Sequence, residues 1–146
     1  MRHQPLREVQ QLAEIQGPAQ TRGPLSRSER FERWVALLED HPGALNTLEG
    51  TEYKAPEKRA LMRCDDSPLS VAFRDPVLRE DGLAGDTYGD AMSYFGLSNH
   101  QMHYIVCHCH CGSRMSGRDA AERVRSIMPG RGLVSGLIGA LRRWLH

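Results

Sequence analysis

The chain has 146 residues, of which 40% are hydrophobic and 25% charged, and its formal net charge is +1. That length suits one domain with a modest core, and the mixture is that of a globular protein rather than a disordered or fibrous one. No run nears the ~18–20 apolar residues of a membrane-spanning helix, and Met1-Arg2-His3-Gln4 opens no apolar signal segment, so a soluble, cytoplasmic protein is expected.

The charge is unevenly placed. Residues 1–28 carry four Arg against two Glu, residues 29–97 have a net charge of −6, and residues 98–146 have a net charge of +5. An acidic middle and a basic end can attract each other within the fold, while clustered arginine can also meet phosphate.

In chain order, Leu6, Val9, Leu12 and Ile15 make a weak helical stripe, and Gly17-Pro18 and Gly23-Pro24 then break the chain. Residues 1–25 therefore read as a flexible N-terminal extension. Ser26-Arg27-Ser28-Glu29 is a capping box, in which the serine oxygen and the glutamate carboxylate each satisfy an amide at a helix start. Phe31, Trp34, Val35 and Leu38 follow at i, i+3, i+4, i+7, the pattern of an amphipathic helix with Trp34 as a core anchor. His41-Pro42-Gly43 stops it. Residues 44–55 read as loop or a short helical turn.

Pro56 stands at the tolerated first position of another helical turn. Ser67-Pro68 opens a short apolar segment, residues 69–73, which Asp75-Pro76 closes, and residues 77–86 read as a surface loop. Thr87 can cap a short helix through Ala91, Met92 and Phe95, ended by Gly96 in a left-handed conformation with Leu97 packed behind it. Ser98-Asn99-His100-Gln101 and Ser116-Gly117-Arg118-Asp119 are two more capping boxes. Gly112 is the expected end of the helix that starts at Ser98. Ala120, Ala121, Val124, Ile127 and Met128 form the packing face of the next. After Pro129-Gly130, residues 129–146 read as an amphipathic C-terminal tail carrying Arg142-Arg143 beside Trp144. Docking on its own domain or a second copy suits that tail better than a membrane surface, for which it is short and only doubly charged.

Chemistry concentrates in Tyr104-Ile105-Val106-Cys107-His108-Cys109-His110-Cys111-Gly112, which holds three of the four cysteines and two of the seven histidines. If residues 99–111 are helical, Met102, Ile105, Val106 and Cys109 share the core seam, with Cys109 acting as a small buried hydrophobe. His100, His103, Cys107, His110 and Cys111 then share roughly the opposite side, one turn apart. Spacings of three and four bring such side chains within reach of one ion. Thiolate with imidazole suits zinc, or copper or iron as softer alternatives. A strand over residues 104–111 would instead face Cys107, Cys109 and Cys111 one way, and His108 and His110 the other; the capping box and the stripe favour the helix. The chain has no CxxC pair, and Cys64 and His41 are its distant ligands of note. Packing with incidental polar residues is the plainer account of the cluster, and thiol redox sensing, helped by Arg114, is a third.

Residues 91–106 also have the rhythm of a helix-turn-helix. Asn99, Gln101 and His103 would then face base edges, and Arg114 and Arg118 would face phosphates. The short first helix and the acidic residues 29–97 weigh against it. An enzyme is the weakest reading, because the Cys and His residues crowd one element and no phosphate-cradling or paired-carboxylate motif appears.

Phe95-Gly96-Leu97-Ser98, eight intervening residues, Cys107-x-Cys109-His110 and Ala-Glu-Arg-Val-Arg at 121–125 resemble small uncharacterised bacterial proteins, over residues 86–128. The resemblance implies a small helical domain and carries no activity. Its motif positions would be Cys107, Cys109, His110 and Gly112, with Cys111 a departure.

The sequence thus predicts an all-α fold, a small bundle of short helices over residues 26–128 with loose ends. Its expected role is that of a binding or interaction module for a protein partner or a second copy, with zinc the candidate cofactor on His103, Cys107, His110 and Cys111. DNA binding through Asn99, Gln101, Arg114 and Arg118 is the alternative.

Overall fold

The computed structural model describes residues 23–107 and 114–128. The N-terminal stripe, the C-terminal tail, and Cys109, His110 and Cys111 all lie outside the described residues. Among those described, seven α-helices and one two-stranded sheet form the expected all-α bundle. None of these helices is long and apolar enough to cross a membrane.

The first helix, α1 (Arg27–Glu39), starts at the predicted capping box, where Ser26 accepts from the Glu29 amide and Glu29 accepts from the Ser26 amide. Its stripe is the centre of the core, with Phe31, Trp34, Val35 and Leu38 all buried. The Trp34 ring stacks on Phe95 with centroids 4.3 Å apart, and its indole N–H donates to the Pro68 carbonyl at 2.9 Å. A buried indole needs such an acceptor, and this one ties α1 to the next layer.

Residues 44–55, read as loop or a short helical turn, contain two small elements. Strand β1 (Ala44–Leu45) pairs antiparallel with β2 (Met115–Ser116), with Ala44 opposite Ser116 and Leu45 opposite Met115. A 3₁₀ turn, Thr51–Tyr53, follows Gly50, whose φ is 71°. Helix α2 (Pro56–Ala60) has proline at its start as expected.

Helix α3 (Pro68–Arg74) is the apolar segment opened by Ser67. Of the loop expected over residues 77–86, the first half is instead a further helix, α4 (Pro76–Asp81), and residues 82–86 are turn and loop. Asp75 explains the difference. Its extended backbone ends α3, and its carboxylate accepts from the Leu78 amide, so the chain restarts a helix at once with Pro76 in the first turn. The same carboxylate takes a two-point ion pair from Arg33 of α1, at 2.5 and 2.9 Å.

Helix α5 (Tyr88–Phe95) is capped by Thr87 and ends at left-handed Gly96, φ 64°, with Leu97 buried behind it. Helix α6 (Asn99–Val106) begins at the predicted Ser98–Gln101 box but ends six residues before Gly112. Cys107 is extended, with φ −100° and ψ 141°. Residues 104–106 are helical, which removes the strand alternative there. Helix α7 (Gly117–Ile127) is capped by the Ser116 hydroxyl on the Asp119 amide, and buries Ala120, Ala121 and Val124 against α1. Gly117 permits this approach, because a Cβ there would run into the Leu38 carbonyl oxygen.

Two outcomes follow. Gly117→Ala should lower unfolding stability by about 1–3 kcal/mol, the cost of overpacking a close contact; an unchanged urea midpoint would show that the helices separate freely. The Arg33 hydrogen bonds hold the Asp75 carboxyl below its ordinary value. A depressed folded-state value means that this stabilisation is present above the unfolded value of about 3.9 and is lost as pH falls through the folded one. Asp75→Asn should therefore be less stable at neutral pH yet lose less stability on acidification than the parent, as read from urea midpoints in both conditions.

Candidate metal centre

The site is built where the chain returns from β1 along the C-terminal end of α6. The Leu48 amide donates to the Val106 carbonyl at 2.9 Å, which sets residues 44–53 beside the last turn of that helix. The 3₁₀ turn is then clamped by Arg59, which donates to the Thr51 and Lys54 carbonyls at 2.8 Å each. On the other side, His103 and Cys107 are four residues apart and share one side of α6 at its end. The Cys107 amide makes the final helical bond to the His103 carbonyl at 2.8 Å.

Arg123 of α7 closes this end. One guanidinium nitrogen donates to the Tyr104 and Cys107 carbonyls, each at 2.9 Å, and the group lies 5.5 Å over the Tyr104 ring. A helix leaves its last carbonyls without intrahelical partners, and the Arg123 guanidinium satisfies two carbonyls at this end. Cys107, at the same end, is 7% exposed.

Three donor atoms converge. One ligand atom each from Glu52, His103 and Cys107 lies within 4.8 Å of the others. The His103 Nδ1 stands 3.9 Å from a Glu52 carboxylate oxygen. Between ring and sulfur sits the buried Thr51 hydroxyl, 2.6 Å from His103 Nδ1 and 2.8 Å from Cys107 Sγ. A tetrahedral zinc ion with bonds of ~2.0–2.3 Å needs its donors roughly 3.3–3.8 Å apart, so donors up to 4.8 Å apart would close by as much as roughly 1.0–1.5 Å. A carboxylate, a thiolate and a neutral imidazole together balance a divalent cation.

Of the residues singled out from the sequence, His103 and Cys107 belong to this group, and His110 and Cys111 lie outside the described residues. Cys64 and His41 are not in the group: the Cys64 sulfur lies 3.5 Å from the Asp65 carbonyl, and His41 Nδ1 lies 3.1 Å from the Gly43 carbonyl. Glu52 and Thr51 were not foreseen, because nothing local distinguishes an acidic residue in a loop-like stretch as a ligand.

The helix-turn-helix rhythm exists as α5, Gly96-Leu97-Ser98 and α6, but its expected base-reading side chains have local work. The Asn99 side-chain oxygen accepts from the Tyr88 hydroxyl at 2.6 Å, and Gln101 accepts from the Ser98 amide at 3.0 Å. Burial pushes the Tyr88 hydroxyl up to about 12, so it stays a donor at neutral pH. Arg114 and Arg118 are exposed.

No family model matches the chain, and no match emerges among curated proteins or solved structures.

The Arg123 cap gives a direct outcome. Arg123→Ala should cost about 1 kcal/mol or more of unfolding stability, as two carbonyl partners are lost, with Arg123→Lys intermediate. A urea midpoint unchanged in both variants would contradict a structural role for this contact.

Proposed function

We propose that this protein is a small helical metal-binding module that holds a zinc-like divalent cation on Glu52, His103 and Cys107. The observation that carries the reading is the convergence of those three donor atoms within 4.8 Å, from two segments about fifty residues apart in sequence. Sulfur, nitrogen and oxygen donors together suit zinc or a neighbouring transition metal, whereas magnesium and calcium favour oxygen alone. Three donors leave one position of a tetrahedron for water, a ligand or a further side chain. His110 and Cys111 follow soon after Cys107 in the chain and are the sequence's own candidates for it. A reducing cytoplasm would keep the thiol available as a ligand.

The test is metal content of untagged protein purified under reducing conditions, measured by mass spectrometry of the elements. About one transition-metal equivalent per chain is expected, falling by at least tenfold in Cys107→Ser and in His103→Ala. Removing the metal with a chelator should lower the melting temperature, because a ligand at a hundred times its dissociation constant stabilises the folded state by about 2.7 kcal/mol. A parent protein that is metal-free and takes up no zinc on titration would overturn the reading.

A further inference from the structure

Thr51 is 1% exposed, and its hydroxyl stands among the donors of the centre, 2.6 Å from His103 Nδ1 and 2.8 Å from Cys107 Sγ. A buried hydroxyl is costly unless it is hydrogen-bonded, and both of these bonds go to atoms that an ion would need. The hydroxyl carries one hydrogen, so it donates to one partner and accepts from the other. In one arrangement the Cys107 thiol donates to the hydroxyl, which donates to Nδ1. In the other, Nδ1–H donates to the hydroxyl, which donates to sulfur. Either way Nδ1 is closed to a cation, because its single lone pair is taken by the hydroxyl's hydrogen or by a hydrogen of its own. The hydroxyl and the ion therefore exclude each other.

The turn that carries the hydroxyl is held by other groups. It begins at left-handed Gly50, and the Thr51 carbonyl accepts from Arg59 at 2.8 Å and from the Lys54 amide at 3.4 Å. Arg59 also bonds the Lys54 carbonyl at 2.8 Å. These contacts use the backbone of the turn, so Glu52 keeps its place whether or not the Thr51 side chain stays bonded. Releasing Nδ1 and Sγ asks only for a rotation of one side chain about its Cα–Cβ bond.

We propose that the centre is a two-state switch in which the Thr51 hydroxyl competes with a zinc-like cation: it ties up His103 and Cys107 in the metal-free protein, and the ion binds only as the hydroxyl gives up both. The inference rests on the metal reading and specifies how that site is regulated. A site that is competent only when its latch is open has an apparent affinity reduced by the fraction of time it is open. The centre thus fills above a threshold of free ion, and one hydrogen passes from the bonded group to solvent as it does.

The experiment is titration of the full-length protein with cobalt(II), followed by its sulfur-to-cobalt charge-transfer band, with zinc as competitor. Thr51→Ala removes the latch and leaves the backbone contacts of the turn; Thr51→Ser keeps the hydroxyl. Loss of a competitor that makes two ordinary hydrogen bonds should tighten zinc binding roughly 5–50-fold in the alanine variant, with the serine variant close to the parent. Should the alanine variant fail to fold, as judged by circular dichroism, the parent protein decides: nuclear Overhauser contacts between the Thr51 side chain and the His103 ring should be present without metal and lost on loading with one equivalent of zinc. Equal or weaker binding in a folded alanine variant, or contacts that persist in the zinc-loaded parent, would overturn the latch while leaving the centre intact. A parent protein with no sulfur-to-cobalt band would overturn the metal reading itself, and the inference with it.

Discussion

Trp34 is held on three sides, and the arrangement of the bundle depends on those contacts. Its ring lies on Phe95 of α5, its indole N–H reaches the Pro68 carbonyl at the start of α3, and its own helix lies along α7. Short helices are marginal alone, so their stability must come from a shared apolar interior. Among the largest fully buried side chains, Trp34, Phe31, Phe95, Tyr88, Met102 and Ile105 come from three different helices and meet there. Arginines of α1 then fasten the rim: Arg33 to Asp75, Arg30 to Asp81, and Arg27 to the carbonyls of Phe95 and Gly96.

That frame places the C-terminal end of α6 against the segment arriving from β1. The pairing of Ala44 with Ser116, the Leu48–Val106 hydrogen bond and the Arg123 cap together leave little choice in how Cys107 faces Thr51 and Glu52. The proposed centre therefore stands on contacts whose first purpose is folding. This is why a donor set spread over two segments can be held without a long loop between ligands. It also links metal affinity to stability: whatever loosens the 3₁₀ turn should loosen both.

Local signals mark the helix starts well. Ser26 with Glu29, Thr87, and Ser98 with Gln101 act as caps, and the stripe from Phe31 to Leu38 is buried throughout. These are short-range choices, decided within one turn of the chain. Three features were not legible for the opposite reason. The β1–β2 pair is two residues long and joins positions about seventy apart. The helix α4 was hidden in a charged stretch because Asp75 works as stop, start and ion-pair partner at once. The end of α6 at Val106 depends on Leu48 and Arg123, which no local pattern announces. Half of the centre shared that fate: the spacing of His103 and Cys107 could be read directly, whereas Thr51 and Glu52 enter only through the tertiary fold.

The most direct measurement of the central claim is X-ray absorption spectroscopy at the metal edge of the zinc-loaded protein. The account predicts a four-coordinate shell that includes sulfur at about 2.3 Å and nitrogen or oxygen at about 2.0–2.2 Å, with the sulfur contribution reduced in Cys107→Ser. A shell of nitrogen and oxygen alone, or a sulfur contribution undiminished in that variant, would contradict it.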